Sequence, residues 1–223
     1  MERSLTIPLA IAFGGAIVAL AVYVSMPKIS PTITDNSALV RPVSASDHIF
    51  GNPAAPVMIV TYSDFDCAYC KDFDATLRQI IADKGASGKV ALVYRQFPLT
   101  EIHPNALSHA KAAECIAQTA GNTAFWKFAN ALFKNQPVNR LQYGELASAA
   151  GISNNDFATC FASAATTVDA RIAADRQNAL DIGAEGTPYS LILVAGKPTA
   201  VMNGGYPYTA VQQLVDEALQ STK

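Results

Sequence analysis

Cys67-Ala68-Tyr69-Cys70 is the segment of this 223-residue chain whose residue types and spacing can do chemistry. Two thiols three positions apart share a face once the segment is helical, so their sulfurs can reach bonding distance. A helix N-terminus carries unpaired N–H groups and the positive end of the peptide dipoles, and both stabilise a thiolate at Cys67. Such a thiolate is present at neutral pH and is a good leaving group. Cys70, one turn further in, is suited to be shielded and to resolve a mixed disulfide. The pair points to redox exchange. A zinc site would need two more ligands, but there is no second CxxC, and His48, His103 and His109 lack finger spacing. No metal is therefore expected. A purely structural bridge across so short a loop would constrain the unfolded chain little.

The elements that must position the pair can be read around it. Val57 to Tyr62 is a β-rich run behind Pro53 and Pro56, the pattern of a buried strand. Phe73, Leu77, Ile80 and Ile81 fall at helical spacing and predict a helix over 67–83, ended by Gly85 and Gly88. Lys89 to Phe97 is a second strand, stopped by Pro98. Strand, helix and strand make a parallel crossover unit. From Asn105 to about Ile182 the composition is helical, with Phe125, Phe128, Leu132 and Phe133 as a packing stripe and Gly121, Pro137 and Gly151 as punctuation. Ser153 to Asp156 reads as a helix start. Trp126 is expected to pack between helices. Tyr189 to Val194 is a strand, Ala195 to Pro198 a turn, Thr199 to Met202 the hairpin partner, and Thr209 to Leu219 a closing helix.

The N-terminus sets the compartment. No charged side chain occurs from Ser4 to Pro27. The 22-residue run Leu5 to Met26, as a helix, covers about 30 Å, the thickness of a hydrocarbon core. Arg3 precedes it, and short basic leaders stay in the cytoplasm. The expected organisation is a cytoplasmic leader at 1–4, a transmembrane anchor at 5–26, a linker at 27–46 and a domain at 47–223, with a helical insertion at about 103–183. Ala19-Leu20-Ala21 offers a cleavage site as the competing reading, and either reading exports the domain. The linker, with Pro27, Pro31 and Pro42, reads as a semi-extended spacer. The net charge of -2 gives no electrostatic reason to bind nucleic acid.

Three separated pieces together resemble the DsbA-like branch of the thioredoxin superfamily. They are Ser63-Asp64-Phe65-Asp66-Cys67-Ala68-Tyr69-Cys70 after a strand, Phe97-Pro98-Leu99 before the helical block, and Gly186-Thr187-Pro188 before the third strand. The resemblance spans roughly residues 46 to 222. It implies an α/β thioredoxin fold with a helical insertion, and a cis Pro188 facing the cysteines. It also implies that the backbone of Thr187 is presented to an incoming peptide as to an added strand. Two departures stand out. The acidic side chain that such proteins hold six residues before the first cysteine is here Thr61. Asp64 and Asp66 read as solvated or capping loop carboxylates and Glu114 as a distant candidate, so the proton relay is unassigned. Ala68-Tyr69 also lacks the charge of a Pro-His pair, which predicts a less oxidising centre. Tyr at the second place resembles the bacterial isomerases, whose separate dimerisation domain has no counterpart here; a monomer is expected.

Cys115 and Cys160 fall in separate helices of the insertion. In an exported domain two remaining thiols favour pairing, and some DsbA-like proteins carry such a bridge. The alternatives are two buried free thiols or a second redox pair. A structural bridge closing this loop would stabilise by roughly 3–4 kcal/mol on the chain-entropy model. His103-Pro104-Asn105 reads as a helix entrance capped by Asn105. The expected function is an enzyme that forms or exchanges disulfides in thiol-containing, unfolded exported polypeptides, without a bound cofactor and with electrons leaving through a membrane redox partner. A reductase or isomerase kept reduced by a membrane donor, and a non-catalytic binding or chaperone module, are the alternatives.

Overall fold

The computed structural model describes residues 35–163 and 167–222. The expected leader, anchor and first part of the linker lie outside them. Among the described residues no helix is long and apolar enough to cross a membrane.

The sheet is built as the residue pattern requires. β2 (Val57–Ser63) and β3 (Val90–Gln96) run parallel and are joined by α1 (Ala68–Lys84). β4 (Tyr189–Val194) pairs antiparallel with β2, and β5 (Lys197–Asn203) antiparallel with β4. One strand was not anticipated. β1 (His48–Gly51) pairs antiparallel with β3, giving the order β1-β3-β2-β4-β5. Four residues ending in Gly51 are too short to show an alternating pattern. The hairpin turn is also tighter than expected. Ala195 and Gly196 alone make it, both at positive φ, so Lys197 and Pro198 belong to the strand. Pro198 is tolerated because β5 is an edge strand, with an irregular register at Ile192 and Leu193. The other edge is covered differently. The side chain of Asn122 accepts from Ile49 N at 3.1 Å and donates to Ile49 O at 2.7 Å.

Period-2 alternation divides the strand residues between two faces. Val60, Tyr62, Ala91, Val93, Leu191 and Leu193 share one core cluster with Ala179 and Ile182 of the α5 region. α5 spans Thr167–Asp181. The alternate residues lie on the opposite face, which packs against α1 and α6 (Tyr208–Gln220) and, at Tyr94, against Phe125, Trp126 and Phe133. The insertion comprises α2 (Ala106–Lys134), α3 (Tyr143–Ala150), α4 (Asn154–Ser163) and α5. α2 is broken at Gly121, whose φ of 78° and ψ of -174° fit no other residue well. Phe125, Phe128, Leu132 and Phe133 are all buried, as their spacing predicts. Trp126 packs on Phe50 of β1 and Tyr94 of β3, with the Arg78 guanidinium of α1 over its ring, so it joins its helix to α1, as expected, and to the sheet as well.

The domain begins earlier than the expected linker boundary. A 3-10 turn (Asp35–Leu39) and the segment after it lie on the α5 face. Arg41 pairs with Asp175, and its N–H donates to Asn178 Oδ1. Asp47 takes a two-point interaction from fully buried Arg95, at 2.9 and 3.2 Å. Arg95 also donates to the Tyr62 hydroxyl at 2.9 Å. A guanidinium buried inside β3 requires such partners, and the N-terminal segment supplies them.

Candidate active site

Cys67 occupies the N-cap of α1 with extended backbone angles, and Cys70 lies in the first turn. No acidic side chain stands in that turn. The helix end therefore acts on the thiol without an opposing charge from its own first residues. Cys67 and Cys70 are only 3% and 1% exposed, whereas Tyr69 between them is 75% exposed. The Thr187–Pro188 bond is cis, and the Cys67 thiol faces the Thr187 carbonyl oxygen at 3.7 Å. The residues expected at the site, Cys67, Cys70, Thr187 and Pro188, thus come together from the start of α1 and the entry to β4.

The two thiols are electrostatically unlike. The hydrogen bond from the Cys70 thiol, with the backbone N–H of Cys70 and a contact from Thr187, outweighs burial and pulls the Cys67 pKa down to about 6. Burial, reinforced by the Cys67 thiolate, pushes Cys70 well above its ordinary value. One sulfur is ready to attack or leave near neutral pH, and the other is held protonated until the first is engaged.

The turn carrying Cys67 is fastened to the insertion by groups that the sequence reading placed elsewhere. Asp64 is buried, not solvated. Its Oδ1 accepts from Asp66 N at 2.8 Å, and its Oδ2 accepts from Leu99 N at 2.9 Å and faces His103 Nδ1 at 2.8 Å. Asp66 Oδ2 accepts from Asn105 N at 3.0 Å. Asn105 stands at the N-cap of α2, but its side chain caps nothing. The helix entrance is held instead by a carboxylate reaching across. Gln136, at the end of α2, donates to Phe65 O at 2.6 Å and to Cys67 O at 3.2 Å. Phe65 is buried, stacked on Tyr94 at 4.7 Å. Asp64 and His103 were legible as residue types; Gln136 carried no signal, because its role depends on how α2 ends in space.

Thr61, where the family's acid would stand, accepts a hydrogen bond from the Ser190 hydroxyl at 2.8 Å. Glu114 is engaged by His48 Nε2, Gln96 Nε2 and Arg171 Nε, each at 2.9 Å. Although burial works against its charge, those partners hold the Glu114 carboxyl below the usual range. It is a structural centre between β1, β3, α2 and α5. Cys115 and Cys160 are joined as a disulfide with a Cα–Cα distance of 5.7 Å, tying α2 to α4.

This fold, with its helical insertion and an asymmetric cysteine pair opposite a cis proline, defines a DsbA-like member of the thioredoxin superfamily. The sequence profile described as Thioredoxin matches residues 44–198, and the chain belongs to that family. Among curated relatives, the Na(+)/H(+) antiporter NhaA 3 of Salinispora tropica is 37% identical over 103 residues, which are 44% of this chain and 15% of that protein. NhaA 1 of Mycolicibacterium gilvum is 30% identical over 193 residues, 85% of this chain and 29% of that protein. The chain thus spans less than a third of the length of these relatives. Among solved structures, the thiol-disulfide exchange protein alpha-DsbA2 of Wolbachia pipientis superposes with a TM-score of 0.68 at 22% identity. That match covers 78% of this chain and 88% of the other.

Proposed function

We propose that the chain is an exported, membrane-tethered thiol–disulfide oxidoreductase that forms or exchanges disulfides in extracytoplasmic polypeptides. The observation that carries the reading is the unequal pair: Cys67 pulled down to about 6 and Cys70 pushed up, at one helix start. In the oxidising direction a substrate thiolate attacks Cys67 Sγ, and the Cys67–Cys70 bond breaks with Cys70 leaving and taking a proton. A second substrate thiolate then attacks the substrate sulfur of the mixed disulfide and expels Cys67 as a thiolate. The substrate has lost two electrons and the cysteine pair has gained them. The low pKa of Cys67 favours this last departure. Thr187 and Pro188 dock the substrate backbone, and Tyr69, exposed between the sulfurs, offers an apolar contact.

Membrane tethering rests on Leu5 to Met26 and on Arg3, which keep the N-terminus cytoplasmic and the catalytic domain periplasmic or extracellular. The similarity to proteins named as ion antiporters supports a membrane-side setting. Tethering raises the local concentration of a membrane redox partner that re-oxidises the pair.

The test is oxidation of a reduced substrate protein by the full chain, with Cys67→Ser and Cys70→Ser beside it. Cys67→Ser is expected to be inert. Cys70→Ser, which cannot form the oxidising disulfide, is expected to fail with the reduced substrate, but with a disulfide-bonded substrate to accumulate a mixed disulfide as Cys67 attacks one substrate sulfur and the other leaves as a thiolate. Activity surviving in Cys67→Ser would remove the proposal. Thiol trapping in cells then fixes the direction: a mostly oxidised pair marks an oxidase. Fractionation with protease protection tests the topology.

A further inference from the structure

We propose that His103, held by Asp64 against the turn that carries Cys67, is the cationic positioning residue of the exchange centre: its imidazolium offsets the carboxylates beside Cys67 and so favours the free thiolate over the disulfide. The inference rests on the reading of Cys67 as the exchanging sulfur.

The geometry begins with Asp64. It lies three residues before Cys67, its own carbonyl accepts from Cys67 N at 3.3 Å, and its side chain is fully buried. Its Oδ2 faces His103 Nδ1 at 2.8 Å. His103 is fixed from its own side as well, because its N–H donates to Leu99 O at 2.9 Å while Leu99 N donates to the same Asp64 oxygen. The imidazole is therefore locked to the cysteine turn, although it comes from the other side of β3 in sequence.

The charges give the lock a purpose. Two carboxylates, Asp64 and Asp66, stand within three residues of Cys67, and unopposed they would disfavour a third negative charge. Asp66 is met by Asn105 N and, at 3.6 Å, by His109 Nε2. Burial lowers the pKa of His109, which leaves it a poor cation. Asp64 is met by His103. Burial works against a charge on His103 too, but the Asp64 carboxylate, with Cys67 and Asp66 beyond it, raises its pKa above the ordinary histidine value. Glu101 of the same loop is turned to Arg176 of α5 at 3.3 Å. Lys71, one turn after Cys67, has no ion pair among the described residues. Ala68 and Tyr69 contribute no charge. His103 is thus the cation that the dipeptide between the cysteines does not provide, delivered through space from the β3–α2 connection.

Such coupling is reciprocal. His103 must hold its proton more tightly when Cys67 is a thiolate than when Cys67 is in a disulfide. The deciding measurement follows the ring proton of His103 by NMR against pH in the reduced and the oxidised full-length protein. The midpoint is expected to be higher in the reduced form; equal midpoints would overturn the proposal. In parallel, thiolate absorbance at 240 nm and equilibration with glutathione are read for His103→Gln, His103→Lys, Lys71→Gln and the Asp64→Asn/His103→Gln pair. His103→Gln is expected to raise the Cys67 pKa by about one unit, a tenfold loss of thiolate below the midpoint. A tenfold change in the exchange equilibrium shifts the potential by about 30 mV, here in the reducing direction. His103→Lys retains the wild-type values, and the double substitution returns toward them because the offset carboxylate is gone as well. Unchanged values in His103→Gln, a failure of His103→Lys equal to that of His103→Gln, or a shift confined to Lys71→Gln would each overturn it. An inactive pair with the two His103 midpoints still apart would instead overturn the proposed function and leave this coupling standing.

Discussion

Cys67 and Cys70 are the same residue in two environments, and the difference is measurable one sulfur at a time. Alkylation of the reduced protein is expected to modify Cys67 alone, with a rate that rises with pH and levels off above its pKa of about 6. Cys70 should stay unmodified through pH 8, because burial holds its proton on. Peptide mapping by mass after a pH series checks both. Gln136 acts on the same turn through two carbonyls. Gln136→Ala is expected to cost about 1–2 kcal/mol of stability for two lost hydrogen bonds and to slow exchange, read as a lower urea midpoint beside a slower oxidation rate. At this scale the cysteine pair was legible because its chemistry is written in spacing. The fastening of Asp64, Asp66 and Gln136 was not, since each partner lies more than thirty residues away along the chain.

The elements divide the same way. β2, β3 and β4 were readable as continuous apolar, β-rich runs because both faces of these strands are buried, and α1 and α6 from the helical spacing of one buried face. β1 and the segment from Asp35 to Asp47 were not, because their order comes from partners: Tyr94 to Ala91 of β3 across the sheet, and Arg95 from inside β3. Asp47 is where this can be tested. Burial disfavours its charge, but the Arg95 hydrogen bond and charge, Ser44 N and Arg41 outweigh it, so its pKa lies below the ordinary value. A depressed carboxylate contributes stability that is complete above the unfolded pKa and disappears as pH falls through the folded one. Asp47→Asn is therefore expected to lower stability at pH 7 by about 3 kcal/mol, by leaving a buried guanidinium without its counter-charge. The gap to wild type should be complete above the ordinary aspartate value of 3.8 and close as pH falls through the lower folded one. Urea unfolding over a series of pH values from 7 downward decides it, and a gap that does not narrow with acid would exclude the ion pair as its cause.

For the molecule as a whole, the thioredoxin fold with a helical insertion followed from three short pieces in the right order, a stronger signal than any one of them. What the sequence could not convey is how the insertion and the sheet are finished against each other. Asn122 follows directly on the break at Gly121 and lies across the outer edge of β1, meeting both polar groups of Ile49. At the opposite border, β5 carries Lys197, Pro198 and an irregular register. Unpaired strand borders are templates on which extended chains polymerise. A protein whose clients are unfolded polypeptides would meet many such chains, and every one of them could anneal to an open border. Under the proposed docking at Thr187, a guarded β1 border and an interrupted β5 border favour strand addition beside the sulfur that can release what it holds. Asn122→Ala should therefore leave the alkylation profile of Cys67 unchanged yet raise light scattering when the protein is incubated with a reduced, unfolded substrate. Scattering equal to wild type would mean that the side chain is dispensable as a guard. On the proposed function, the amide of one asparagine would be a solubility device, keeping the β1 border from seeding aggregates of the chains that meet it.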